Sequence, residues 1–337
     1  MKSELPLISV VITAHDRKKY LINAVNSILA QTLSRDIIEI IVVKNFKDQK
    51  IDEYLGREGI KNIFTEENSF GAKLAIGMKV SRGDIISFLD DDDSFTNNKL
   101  EVVLRNFKDN ADLNYFHNSI QEMNEEGFTV RNMDIKKYQE HPIVLRSPIE
   151  DLSSLSKLSK FRGDWYMSCI SIRRNSFISF IDFIGSTSAS LDRILFIISL
   201  NLTGKIILEK GKLTRYRMHQ STTGISSEFD DYCNKKKAFF RRTLNSIKAA
   251  ESLPVINDIS KQYIAFQKVH NEANNMLYDV NTKRLKRAGI FVSCMRVYCK
   301  LKDRVYLLIS FFILISIISP RTVIFMHYLY QNSRISF

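Results

Sequence analysis

Cysteine is scarce. Only Cys169, Cys233, Cys294 and Cys299 occur in 337 residues. Their spacing fits no zinc template, and no histidine cluster accompanies them. A chain of this length can bury a large core without disulfide staples, so reduced thiols in a cytosolic setting are expected. The stretch MKSELPLISVV lacks a separate apolar segment with a small-residue cleavage site, so no signal peptide is expected. Internal repeats and low-complexity tracts are missing. With 45% hydrophobic and 26% charged residues, a disordered or collagen-like chain is excluded. Acidic residues are in deficit: 37 Asp and Glu face 49 Lys and Arg, a net charge of +12. Such a balance suggests an anionic partner, whether nucleic acid, acidic membrane or phosphate, without choosing among them.

Charge is missing altogether from VYLLISFFILISIIS, residues 305–319. Pro320 and Arg321 interrupt before TVIFMHYLY continues. A straight membrane span needs about 20 apolar residues. The run alone is short, whereas 305–330 is long enough if Arg321 snorkels. Upstream lie Lys283, Arg284, Lys286, Arg287, Arg296, Lys300, Lys302 and Arg304, opposed only by Asp303. A basic cluster beside an apolar run is a cytoplasmic-side signature. Residues 301–337 are therefore expected to form a membrane anchor, spanning or lying in the interface. A buried core helix with a solvated basic neighbour is the alternative. Lys235–Lys237, Arg241 and Arg242 interleave with Phe239 and Phe240. They read as a helix with an apolar stripe and a basic face, matching no nucleic-acid module, and no nucleic-acid partner is expected.

The amino-terminal half alternates strand and helix. LISVVIT (7–13), IIEIIVV (37–43) and DIISFL (84–89) are continuous apolar runs, suited to strands buried on both faces of a parallel sheet. Helical stripes occupy 18–31, 70–80 and 99–107, and 62–65 is a short strand. This is a doubly wound α/β pattern. From Asp112 it changes: strands at 114–123, 129–133, 168–172 and 205–208, a helix at 190–200, then a helical, basic stretch at 228–300. Ligands in doubly wound sheets bind at the carboxyl ends of the strands. That directs attention to His15, Asp16 and Arg17, to Lys44 and Asn45, and to Asp90–Asp93.

Four successive carboxylates after a buried strand repel one another and raise each other's pKa, so a cation is expected. Mg²⁺ binds one or two carboxylates plus substrate phosphates, and an Asp-x-Asp pair at a strand end can hold a metal that bridges to a diphosphate. An acidic loop capping the next helix, through Asp93 or Ser94, is the alternative. The spaced ligands of an EF-hand are absent.

Taken together, LISVVITAHDRKKYLINAVNSILAQ, IIEIIVV, GAKLAIGMKVSRGDIISFLDDDD and FTNNKLE resemble family 2 glycosyltransferases of the GT-A fold, over residues 6–220. The resemblance implies an α/β fold, a Rossmann-like, mainly parallel mixed sheet with helices on both faces. It also implies inverting transfer of a sugar from a nucleotide-diphosphate donor with Mg²⁺ or Mn²⁺. Asp90 and Asp92 match the family's metal motif, and His15 and Asp16 lie where its Tyr-Asn contacts the nucleobase. Thr13, His15, Asp16, Arg17, Asn45, Lys73, Asp90, Arg217 and His219 form the expected donor-binding set. Lys44 and Asn45 depart from the family's Asp-Asp. Asn45 still donates and accepts hydrogen bonds to a base, while Lys44 suits a phosphate. Ala75 stands where the family often has Asn.

The family also needs a base for the acceptor hydroxyl. In SASLDRILFII this is Asp192, with Asp164 in RGDWYMS as competitor and Trp165 beside it to stack on a sugar or fill core. A first-turn helix carboxylate or a partner for Arg193 is the alternative reading of Asp192. LTRYRMHQSTTG resembles the family's Y-R-x-H-x-x-S segment, which implies a diphosphate clamp from Arg215, Arg217 and His219. A solvated basic strand edge is the alternative there.

The expected organisation is a glycosyltransferase domain at 1–225 (donor half 1–111, acceptor half 112–225), a basic helical region at 226–300 and the anchor at 301–337. The expected activity is transfer to a lipid-linked or growing glycan acceptor at the membrane, with the catalytic domain on the cytoplasmic side. Lys44 keeps a second reading open, a non-catalytic sugar-nucleotide-binding or scaffold protein on the same fold.

Overall fold

Continuous β-branched runs become the centre of the sheet. The computed structural model of the chain describes residues 8–131, 142–147, 154–155, 162–219, 228–253, 256–279 and 281–333. The chain divides into two compact units, Met1–Ile149 with Gly163–Arg217 and Glu150–Arg162 with Met218–Phe337.

In the first unit, β1 (Ile8–Ala14) and β2 (Ile38–Lys44) are buried along their whole length. Both faces are covered, as continuous apolar strands require. On one face Val10, Ile12, Ile40 and Val42 meet Leu21, Val25 and Ile28 of α1 (Leu21–Leu29). On the other, α3 (Phe70–Val80) lies so close that a Cβ on Gly77 would stand 2.4 Å from Val11 Cγ1. A Cβ on Gly71 would stand 2.0 Å from the Thr187 carbonyl oxygen, so these positions admit no side chain. Between the strands, α2 (Gln49–Arg57) is capped by Asp48, whose side chain accepts from the Ile51 N–H.

β3 (Lys61–Phe64), β2, β1 and β4 (Ile85–Asp90) are parallel neighbours in that order. The chain steps outward from β1 to β3, then returns to the other side of β1 as β4. The switch point, where ligands bind in such sheets, is therefore between β1 and β4. Thr13 is in register with Asp90 there.

After β5 (Ser94–Phe95) and α4 (Lys99–Asp109), the sheet becomes mixed. It includes β6 (Leu113–Met123), β7 (Thr129–Arg131), β8 (Ile143–Ser147), β9 (Ile170–Arg173) and β10 (Gly204–Arg217). β9 runs antiparallel between β4 and β6, and β6 is parallel to β10. β10 is longer than the expected 205–208. It pairs with β8 at its start and β5 near its end, shifting register past Lys205, Glu209 and Lys212. The expected strand 129–133 ends at Arg131, and 132–133 lie outside the described residues, as do 220–224 of the segment from Leu213.

The second unit is helical: Phe229–Ala249, Asp258–Leu277, Arg284–Leu301, Arg304–Ile318 and Pro320–Ser333. Ala273, Met276, Cys294, Ile309 and Ile313 form one core. Tyr232, Tyr278 and Ile324 form another. Among the described residues, no helix is long and apolar enough to cross a membrane.

Candidate active site

The loops leaving β1, β2 and β4 converge. The Asp16 N–H donates to Asn45 Oδ1 at 2.9 Å, and Asn45 Nδ2 returns a bond to Asp16 Oδ1 at 3.0 Å. This reciprocal pair holds Asp16 at φ +53°, a left-handed conformation that aspartate tolerates. Asn45 also donates to Asn68 Oδ1 at 3.1 Å. His15 bridges outward and inward: Nε2 is 3.3 Å from Asp16 Oδ2, and Nδ1 is 2.7 Å from Lys73 Nζ. The Lys73 side chain is fully buried. Burial lowers its pKa, against the pull of Asp16, Asp91 and Glu67. Thr13, His15, Asp16, Asn45 and Lys73 are thus brought to one end of the sheet.

Arg17 joins this group to the acidic loop. Its Nη2 is 2.5 Å from Asp91 Oδ1 and its Nη1 is 2.8 Å from Asp92 Oδ2. Burial works against the guanidinium charge, but Asp92, Asp91 and Asp90 outweigh it and raise the pKa.

The loop is organised by residues distant in sequence. Ser168 Oγ accepts the Asp90 N–H at 3.0 Å and donates to Asp93 Oδ2 at 2.6 Å. The Arg217 N–H donates to Asp93 Oδ1 at 3.0 Å. Asp93 is therefore anchored on both oxygens and does not cap α4, whose cap residue is Asn98. Burial, then Asp92, pushes Asp93 up to about 7. Burial pushes Asp91 up to about 6 although Arg17 opposes it. Asp90 is raised well above the ordinary range by burial and then by Asp92, Asp93 and Asp91.

Carboxylate oxygens of Asp90, Asp92 and Asp93 all lie within 4.8 Å of one another, and Asp91 Oδ2 is buried with no hydrogen-bond partner. Four clustered carboxylates, of which Arg17 pairs with two, make an all-oxygen donor set that fits a hard divalent cation.

The basic residues at this end are mostly committed to the protein itself. Arg217 is buried. It donates from Nε to the Asp92 carbonyl at 2.8 Å, and from Nη1 to the carbonyls of Asn124 at 3.2 Å and Glu125 at 2.5 Å. Its guanidinium carbon is 4.4 Å from the centre of the Tyr20 ring. Lys44 is buried and turned to α2, with Nζ 2.8 Å from Asp52 Oδ1 and 2.7 Å from the Phe46 carbonyl. Arg215 is exposed on β10 opposite Ser94. His219 is buried and groups with the second unit.

In the second half of the sheet unit, the helix Leu191–Asn201 starts from Ser190 at φ +54°. Asp192 is half-buried in its first turn. Its Oδ1 accepts the Arg193 N–H at 2.9 Å, and the Tyr166 N–H also donates to this carboxylate. Burial pushes Asp192 up to about 6, against Arg193 and these two N–H groups. Its charge also acts on Asp90. Asp164 is buried, with Oδ2 3.4 Å from Arg193 Nε. The Arg193 guanidinium carbon is 5.4 Å from the centre of the Trp165 ring. Asp192 therefore keeps a carboxyl poised near neutrality, whereas Asp164 is engaged by a buried arginine. Asp93, Ser168, Asn68 and Tyr166 are the site residues that sequence reasoning did not assign. The doubled Asp92-Asp93 was a signal for the first; the other three carried none.

A parallel sheet with an acidic loop at its switch point, continued by a mixed second half, is the GT-A glycosyltransferase architecture. The solved structure of S. aureus TarS (residues 1–349) with UDP-GlcNAc matches with a TM-score of 0.53 at 12% identity, over 80% of this chain and 72% of that one. TarS 1–349 alone matches with a TM-score of 0.51 at 13% identity, over 95% and 91%. Residues 9–162, a little under half of the chain, match the glycosyl transferase family 2 profile. An uncharacterised glycosyltransferase of Haemophilus influenzae is 26% identical over 83% of this chain and 92% of its own length. One from Rickettsia bellii is 32% identical over 36% of this chain, and the match spans only 18% of that protein. A match to a third, from Rickettsia typhi, spans 35% of that relative.

Proposed function

We propose that the protein transfers a sugar from a nucleotide-diphosphate donor to a lipid-linked or growing glycan acceptor, by metal-dependent displacement with inversion. The observation that carries this reading is the grouping of Asp90, Asp92 and Asp93 at the switch point, in the same electrostatic field as the Asp192 carboxyl. Asp90 and Asp92 would hold Mg²⁺ or Mn²⁺, which supplies neutralisation of charge at the leaving diphosphate. Thr13, His15, Asp16 and Asn45 bind the nucleoside, and Lys73 and Arg17 fix the loops that carry them. Asp192 takes the proton of the acceptor hydroxyl as its oxygen bonds to the anomeric carbon and the bond to the diphosphate breaks. A carboxyl near 6 is largely ionised at neutral pH yet basic enough to accept that proton. Arg217 acts through the acidic loop that it ties down. Lys44 bonds to Asp52 and Phe46, while Asn45 commits its amide hydrogens to Asp16 and Asn68 and keeps an Oδ1 lone pair for the base.

The second unit brings the enzyme to a membrane, with the catalytic unit on the cytoplasmic side. Its support is the run from Val305 to Ser319 and the basic stretch before it. Calorimetric titration with nucleoside diphosphates, with Mn²⁺ or with EDTA, tests the site. Metal-dependent binding that disappears in Asp92→Asn is expected. Binding equal in EDTA, or unchanged in Asp92→Asn, would overturn the metal assignment.

A further inference from the structure

We infer that the second unit docks in the plane of an anionic lipid surface, through the outward face of the helices Arg304–Ile318 and Pro320–Ser333, and does not cross the bilayer. This deepens the membrane placement proposed above and rests on it.

The helix Arg304–Ile318 has two apolar stripes. Tyr306, Ile309, Ile313 and Ser316 are buried. Two hydrogen bonds pin that stripe: Tyr306 OH to the Phe266 carbonyl at 2.9 Å, and Arg287 Nη1 to Ser316 Oγ at 2.9 Å. The other stripe, Val305, Leu308, Phe311, Leu314 and Ile318, is 45% to 82% exposed. Phe325, Met326 and Leu329 of the next helix add 50% to 51% exposed apolar surface. Contiguous apolar surface of this kind marks an interaction site. A groove of about 150 Å³, lined among others by Leu277, Leu308, Phe312 and Val323, lies within this helical group and suits a lipid chain.

Geometry argues against a span. Fifteen residues make a helix of about 22 Å, short of the roughly 30 Å hydrocarbon core. The chain breaks at Ser319, which is extended at φ −140° and ψ 90°, before Pro320 opens the next helix. The pinned face packs on Asp258–Leu277 and Arg284–Leu301, helices that carry exposed charges such as Lys261, Arg296 and Lys300. Immersion of the whole group would draw those charges into hydrocarbon.

Charge selects the lipid. Seven Lys and Arg between 283 and 304 are exposed. The one acidic residue between 280 and 337 is Asp303, which is buried and accepts the Val305 N–H as the helix cap. An apolar face that follows directly on a stretch whose exposed charges are all basic fits an in-plane helix on anionic headgroups.

The test is flotation of the full chain with phosphatidylcholine vesicles and with phosphatidylcholine–phosphatidylglycerol vesicles, at low and high salt. Binding is expected only with the anionic lipid, and to weaken with salt. The triple variant Lys300→Gln/Lys302→Gln/Arg304→Gln should lose about a hundredfold in affinity, at about fivefold per charge. Leu308→Gln/Phe311→Gln/Leu314→Gln should abolish binding with the circular dichroism spectrum retained. Single Trp replacements at 308, 311, 314 and 318, quenched by lipids brominated at successive acyl positions, should report one shared shallow depth. Progressively deeper positions along the helix would overturn the in-plane mode. Equal binding to phosphatidylcholine alone would overturn the anionic partner, and no binding to either vesicle would hand this face to a protein partner. Donor hydrolysis in the same preparation separates the two ideas: lipid binding without hydrolysis upholds the docking surface and sinks the proposed reaction.

Discussion

Replacing Asp192 with asparagine removes a proton acceptor while keeping the side-chain volume and an oxygen for the N–H groups of Arg193 and Tyr166. The fold should survive. The wild-type carboxyl, pushed up to about 6 by burial, is about nine-tenths ionised at pH 7. It should therefore give kcat/KM a rising limb centred near 6. General-base catalysis contributes about 10²–10⁴ in rate. Asp192→Asn should lose that factor in kcat, lose the acid limb and leave donor KM nearly unchanged. Asp164→Asn is the control. Removing the carboxylate 3.4 Å from the buried Arg193 should cost about 3–5 kcal/mol of stability, read by urea unfolding, with a smaller effect on the rate of the folded enzyme. Stopped assays of nucleoside diphosphate release across pH 5–9 decide the matter. If Asp192→Asn keeps more than about a tenth of the rate and an unmoved pH limb, Asp192 is not the base.

Other perturbations separate binding from scaffolding. Asp90 has a folded pKa raised above its unfolded value, so its contribution to stability is present in acid and lost as pH rises through the folded value. Without metal at pH 8, Asp90→Asn should raise unfolding stability and cancel any stabilisation by Mn²⁺; a loss of stability would contradict the repulsion among these carboxylates. Arg217→Ala strips donors from three backbone carbonyls and should cost about 3 kcal/mol in urea unfolding. Unchanged stability with a tenfold higher donor KM would instead return Arg217 to the diphosphate. Gly71→Ala drives a Cβ toward the Thr187 and Ile184 carbonyls and should lower stability by about 1–3 kcal/mol in thermal unfolding.

β1, β2 and β4 were legible because they are buried on both faces and so read as unbroken apolar runs. α2 escaped because only Ile51 and Leu55 turn inward, too few for a stripe, although Asp48 three residues before Ile51 was a usable cap signal. β10 was seen only at its apolar start. Its second half, GKLTRYR, mixes buried and exposed residues without a period and owes its extension to β5 and β6, which are distant in sequence. The acidic loop announced itself by charge. What holds it did not: Ser168 reaches Asp90 and Asp93 across more than seventy residues. The partners of Lys44 and Arg217 were hidden for the same reason. A cation in a sequence advertises its charge but not the carboxylate or carbonyl that neutralises it, so Arg217 read as a phosphate ligand while the fold uses it to fasten a loop.

The most direct test of catalysis is donor turnover by the purified full chain in detergent, across a panel of nucleotide sugars with Mg²⁺, Mn²⁺ or EDTA, with Asp92→Asn in parallel. The account predicts slow, metal-dependent release of nucleoside diphosphate from one donor, faster with a membrane lipid extract as acceptor and absent in the folded variant. No release from any donor, with or without the extract, would contradict it and leave a sugar-nucleotide-binding protein on a glycosyltransferase fold.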